Sequence, residues 1–135
     1  MKIGLEVAEA EFDRWVEAMD LDLDQATMDT ADLASFSKQR RRIIRAMMKG
    51  ALVIREDGLA VYTPYNKNSK SNEPLIFNER TGASLMAMDS RKSGHDAART
   101  YAILGDLCKV HPSVFANLAG EDIKVCEALF AFLMD

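Results

Sequence analysis

The stretch "ALVIREDGLAVYTP", residues 51–64, limits the fold more than any other part of the chain. Two short β-prone runs flank Asp57-Gly58, a pair suited to the positive φ of a type I′ turn, so the segment predicts a hairpin. "LIF", residues 75–77, is placed to add a third short strand. Nearly everything else with an apolar pattern repeats at the helical period. The expected fold is therefore mainly α with a small β-hairpin or short antiparallel sheet, an α+β single domain over residues 1–135. Residues 1–50 form an acidic-then-basic helical part, 51–77 the hairpin region and 78–135 a helical C-terminal part.

Phe12, Trp15, Val16 and Met19 fall at i, i+3, i+4 and i+7, which predicts a helix over about residues 8–19. Leu33, Phe36, Ile43, Ile44, Met47 and Met48 predict a second helix over about 30–49, capped by Asp29 or Thr30 and ended by Gly50. The stretch 65–74, "YNKNSKSNEP", is polar and reads as a mobile loop. A short helix is expected at 83–88. Ser93 is a candidate cap for a further helix carrying Ala97, Tyr101, Leu104, Leu107 and Cys108. "HPSVFANLAG" opens with a proline in a first helical turn and ends in glycine. In the closing run "EDIKVCEALFAFLMD", Ile123, Cys126 and Phe130 form one apolar row and Val125, Leu129, Phe132 and Leu133 another. A surface that wide is either core or interface.

No apolar run approaches the roughly 18 residues a membrane helix needs. "MKIGLEVAEAEF" turns acidic at once and lacks a signal-peptide core, so a cytosolic location is expected. The two cysteines, Cys108 and Cys126, lie in apolar helical patterns and read as buried free thiols. With two histidines, His95 and His111, they give no zinc spacing. No nucleophile elbow, P-loop or H-E-x-x-H pattern occurs, and neither an enzyme nor a cofactor is expected.

The net charge of −4 is divided along the chain. Residues 1–30 carry Glu6, Glu9, Glu11, Asp13, Glu17, Asp20, Asp22, Asp24 and Asp29 against Lys2 and Arg14. Residues 38–49 carry Lys38, Arg40, Arg41, Arg42, Arg45 and Lys49 with no acid. "MDLDLDQATMD", residues 19–29, resembles a calcium loop at first sight. From Asp20, however, position 6 is Gln25 instead of glycine, and position 12 is Ala31 instead of the bidentate glutamate. It reads instead as an acidic connector with Leu21 and Leu23 turned inward. The arginines could grip phosphates. In an acidic chain with few aromatic residues, a solvated or salt-bridging face is the default reading, and for a partner an acidic protein surface comes before nucleic acid. Opposite charges at the two ends of the first fifty residues also suit pairing between copies.

At "LIFNERTGASLMAMDS" the chain resembles the tail assembly chaperones of long-tailed, lambdoid bacteriophages. The match runs through Glu79, Arg80, Thr81, Ser84, Leu85, Met86, Ala87, Met88 and Asp89. It continues in "LGDLCKVHPSVFANLAGEDIKVCEALFAFL", with Leu118, Asp122, Val125, Leu129, Phe132 and Leu133 at matching places. The acidic helix and hairpin of the first half are similar to the lambdoid members as well. The resemblance implies a non-catalytic, oligomerising chaperone of the host cytoplasm, absent from the mature virion. It implies binding to the tape measure protein and recruitment of the major tail protein. It further implies the short form of a pair made by ribosomal frameshifting, or the part shared by both forms. On this reading Trp15, Arg40, Arg41, Arg42, Arg45, Leu129, Phe130, Phe132 and Leu133 are expected at a partner or self-association interface. A small nucleic-acid-binding regulator using the Arg40–Arg45 helix is the alternative.

Overall fold

The computed structural model describes residues 2–23, 25–81 and 96–134. Its elements are helix α1 (Leu5–Ala18), helix α2 (Thr30–Met48), strands β1 (Leu52–Ile54), β2 (Ala60–Tyr62) and β3 (Leu75–Phe77), then helices α3 (Asp96–Cys108), α4 (Ser113–Ala116) and α5 (Glu121–Leu133). This is the expected α+β class, mainly helical with a three-stranded antiparallel sheet in the order β1-β2-β3. The helix expected at 83–88 and the Ser93 cap lie outside the described residues.

Helix α1 starts at Leu5, earlier than the start expected near residue 8, and buries Ala8, Phe12 and Trp15. It ends in a Schellman motif. Asp20 takes φ +53°, its amide bonds to the Glu17 carbonyl, and the Leu21 amide reaches the Val16 carbonyl. Aspartate tolerates this left-handed conformation better than most residues. Helix α2 begins on Asp29, whose carboxylate accepts the Asp32 amide at 2.8 Å. It ends in the same way as α1, with Gly50 at φ +81° and the Ala51 amide on the Ala46 carbonyl. The acidic connector is thus bounded by a helix stop and a helix cap. Asp20 and Asp22 between them are exposed, while Leu21 and Leu23 pack on the core.

The hairpin forms, with a different turn from the one expected. Ile54 pairs with Ala60, and Arg55 bonds to Leu59, which leaves a three-residue loop of Glu56, Asp57 and Gly58. Only Gly58 has positive φ, at +87°, so the loop is a type I turn closed by a left-handed glycine. Asp57 stabilises it from its side chain, accepting the Leu59 amide at 3.1 Å and pairing with Arg55 at 2.8 Å. The turn is also docked. Arg14 on α1 donates to the Ile54 and Arg55 carbonyls at 2.7 and 2.8 Å, and Gly58 rests against Ala18.

Alternation along the strands points Leu52, Ile54, Ala60, Tyr62, Leu75 and Phe77 inward. Strand β3 packs on α3, and β1 packs on α2. Helix α2 lies against both α1 and α5, so α5 is covered by α2 on one side and α3 on another. The buried side chains form one continuous core. At its centre the edge of Phe132 meets three other rings, those of Phe12 at 5.6 Å, Phe36 at 5.5 Å and Trp15 at 6.2 Å between centroids. Edge-on contacts of this kind add to the area the rings bury.

Two features make sharp stability predictions. A methyl group on Gly58 would sit 2.3 Å from the Ala18 Cβ, on a backbone that disfavours any L side chain. Gly58→Ala is expected to cost about 2–4 kcal/mol, read from chemical denaturation. The fully buried Trp15 has an indole N–H without a hydrogen-bond acceptor. Trp15→Phe removes that unsatisfied donor and is expected to stay within about 1 kcal/mol of the parent, whereas Trp15→Ala costs about 3–5 kcal/mol.

Candidate functional site

The residue with the most chemistry around it is Asp122, in the first turn of α5 and fully buried. Its Oδ1 accepts the Tyr62 hydroxyl at 2.6 Å and the Tyr65 amide at 3.1 Å. Its Oδ2 accepts the Asn66 amide at 2.9 Å and the Ser69 hydroxyl at 2.7 Å. The Ser69 oxygen in turn accepts the Ala119 amide at 2.8 Å. Burial alone would raise the Asp122 carboxyl. The hydrogen bonds from Tyr62, Ser69, Asn66 and Tyr65 outweigh it and hold the group below its ordinary value. Burial, and then the bond to Asp122, keep the Tyr62 phenol far above its ordinary range. The carboxylate is fully buried and both its oxygens are engaged twice. The cluster is a fastening that joins β2, the 63–70 loop and the start of α5. The 65–74 stretch expected to be mobile is therefore anchored at Tyr65, Asn66 and Ser69, and the Lys70 amide bonds to the Asn117 carbonyl.

The cysteines are free and buried. Burial pushes the Cys108 thiol up to about 12 and raises Cys126 as well. Among the described residues no group of three His, Cys, Asp or Glu side chains is arranged to hold a metal ion. His111 meets Ser113 at 2.8 Å in the turn before α4, and His95 lies outside the described residues. Among the described residues no helix is long and apolar enough to cross a membrane.

The residues expected at an interface separate into three groups. Trp15, Leu129, Phe132 and Leu133 are buried in the core. For Leu129, Phe132 and Leu133 that corrects their assignment to a surface, because α2 and α3 together cover the wide apolar face of α5, while Trp15 of α1 is the core anchor that its place in the apolar stripe suggested, beside Phe12 and Phe132. Phe130 is half-buried against the same core. Arg40 and Arg42 are half-buried and turn to different helices. Arg40 pairs with Glu9 of α1 at 3.3 Å and lies 5.2 Å from the Phe12 ring centre, and Arg42 pairs with Glu121 of α5 at 3.8 Å. Arg41 and Arg45, one turn apart, are exposed. The four arginines therefore do not form the single free basic face that a nucleic-acid reading requires.

Where α1 and α2 run side by side, an open groove of about 570 Å³ lies between them. Leu5, Phe12, Asp13 and Val16 line one wall, Phe36, Ser37, Arg40, Arg41 and Ile44 the other, and Leu23 and Gln25 close one end. Its size is that of a typical ligand cleft, and its lining is mostly apolar with charged residues at the rim. Leu5 is 53 % exposed at its mouth, and Val7, also 53 % exposed, follows on the same helix. A second apolar surface lies on the outer face of the sheet, where Val53, Val61 and Ile76 align across the three strands. Val53 is 54 % and Ile76 37 % exposed, but this face is flat and three side chains wide. The groove is the better candidate because it is concave and carries directional charge. The apolar period placed Phe12, Val16, Phe36 and Ile44 on two helix faces without showing that the faces meet in a groove. Leu5 follows the same stripe one heptad before Phe12, and that was the available signal for a longer helix with an exposed start.

Comparison with protein-family models, with curated proteins and with solved structures gave no match for this chain.

The Asp122 fastening can be tested directly. Asp122→Asn replaces one acceptor oxygen by a donor that faces two donors, an expected loss of about 3 kcal/mol with faster hydrogen exchange at the Tyr65 and Asn66 amides. A carboxyl held below its ordinary value contributes fully above the unfolded aspartate pKa, about 3.9, and progressively less as pH falls through the folded value. The stability gap between parent and variant should be constant from about pH 5 to 7 and narrow below about pH 4.

Proposed function

We propose that this chain is a tail assembly chaperone of a long-tailed bacteriophage. It acts without catalysis in the host cytoplasm, binds the tape measure protein, keeps it soluble and helps to recruit the major tail protein. Copies of it associate along the client. The observation that carries the reading is the open α1–α2 groove. It offers an apolar lining to a helical partner, on a domain whose buried polar cluster is engaged in holding the fold together. The likeness of the Glu79–Asp89 and Leu104–Leu133 stretches to the family supports the choice of partner. Within those stretches Arg80 and Asp122 have structural tasks. Arg80 donates to the Leu133 carbonyl at 2.9 Å and so caps the end of α5, and Asp122 fastens its start.

The experiment is co-expression with the tape measure protein encoded in the same genome, followed by size-exclusion chromatography of the soluble fraction. The tape measure protein is expected to be soluble only with this chain and to co-elute with it. A tape measure protein that stays insoluble, or is soluble without the chain and forms no complex, overturns the reading.

A further inference from the structure

The α1 and α2 sides of the groove carry opposite charge, joined by the Arg40–Glu9 pair, and six further charged residues on the two helices are in no ion pair among the described residues. On α1, Glu6, Asp13 and Glu17 fall at i, i+7 and i+11, one row along the helix, and all three are exposed. On α2, Lys38, Arg41 and Arg45 fall at i, i+3 and i+7 and are exposed as well. Asp13 and Arg41 line the groove itself, one on each wall. None of these six residues is in an ion pair among the described residues, whose four ion pairs join Arg14, Arg40, Arg42 and Arg55 to Glu11, Glu9, Glu121 and Asp57. Arg40 bridges the two helices to Glu9 over the Phe12 ring, and beyond that pair Asp13 and Arg41 stand as unlike charges on opposite walls, each continued along its helix by exposed charges of the same sign.

The helices run antiparallel, with the Ile3 amide bonded to the Met48 carbonyl at 3.1 Å. The groove accordingly has two distinct ends, one at Leu5 and Ile44 and one at Leu23 and Phe36.

We propose that this groove takes one amphipathic helix of a partner protein, with acidic residues along one flank of its apolar stripe and basic residues along the other, and that the charged walls fix the direction in which the helix lies. The inference deepens the client-binding reading and rests on it for the origin of the helix. The reasoning is geometric. A helix with an acidic and a basic flank satisfies both walls in one direction only. Turned end for end on the same floor, it sets acid against acid and base against base. A helix with both flanks alike satisfies one wall and opposes the other in either direction. Apolar burial supplies affinity, and the rows of charge supply direction.

The test uses synthetic 20-residue peptides with leucines at i, i+3, i+4 and i+7. One has glutamates on one flank and lysines on the other, a second has the two flanks exchanged, and a third and fourth have both flanks acidic or both basic. Affinity is read by fluorescence anisotropy at low salt. Direction is read from a nitroxide at the peptide N-terminus, which broadens nearby amide resonances of the protein. The charge-split peptides should bind about tenfold more tightly than either uniform one, with the preference falling as salt rises. The first should broaden resonances at one end of the groove only, and the flank-exchanged peptide at the other end only. Lys38→Glu/Arg41→Glu/Arg45→Glu should abolish the preference at unchanged melting behaviour. Four peptides of equal affinity, broadening at both ends, or no binding overturn the proposal. A groove that orients these peptides in a protein that leaves the tape measure protein insoluble defeats the functional reading alone. Solubilisation of the tape measure protein by the parent chain, together with equal affinities of the parent for all four peptides, defeats the groove alone.

Discussion

Much of this fold hangs on one buried carboxylate. Asp122 is the second residue of α5, and a charge placed there is stabilised by the helix N-terminus as well as by the four donors around it. Those donors come from β2 and from the loop after it, so the bonds set the position of α5 against the sheet. Once the start of α5 is fixed, Phe132 lies eleven residues further along the same helix, and its ring enters the cluster of Phe12, Trp15 and Phe36. Phe12 and Phe36 are also the aromatic lining of the α1–α2 groove. A hydrogen-bonded group at one end of the molecule thereby determines where the groove floor lies at the other. Arg80, bonded to the Leu133 carbonyl, secures the far end of the same helix.

The division of charge along the sequence is used in two ways. Some acids complete the ends of helices, Asp20 at the close of α1 and Asp29 at the start of α2, which accounts for two of the acids between the two helices. Glu9 and Glu121 draw Arg40 and Arg42 inward from α2 to its neighbours. Partly exposed pairs of this kind contribute little each, about 0.2–1 kcal/mol, and their larger effect is to orient the arginines away from one common face. Among the charges outside these pairs are Asp13 and Arg41, on opposite walls of the groove.

The described helices, the hairpin position and the third strand were legible because each rests on short-range pattern, the 3.6 and 2 residue periods and the capping residues Asp29 and Gly50. The turn type was not. Asp57-Gly58 is compatible with more than one loop length, and the three-residue loop is selected by docking on Ala18 and Arg14, residues about forty positions away. The 65–74 stretch read as mobile because nothing in its polar sequence reveals a partner that lies fifty residues later at Asp122. The same limit applies to the closing helix. Its apolar width was plain, but whether that width faces a partner or the core depends on how α2 and α3 pack around it. Leu129, Phe132 and Leu133 proved to be core for that reason. The groove was invisible because it is made of residues from two helices, and each helix alone shows only an amphipathic stripe.

A direction-setting groove has a consequence for an assembly factor that a simple apolar patch lacks. Apolar contact alone lets copies of a small domain settle on a long helical client in either sense, and neighbouring copies then meet through unrelated surfaces. When charge fixes the sense at every copy, all of them point the same way along the client. Each then presents the same surface to the next, which is the condition for a repeating head-to-tail array. The acidic and basic rows that orient the client would in this way also order the copies on it, with no contact between copies required to choose the direction. On the proposed reading, the polarity of such an array would come from the surface charges beside the groove on each copy of this chain.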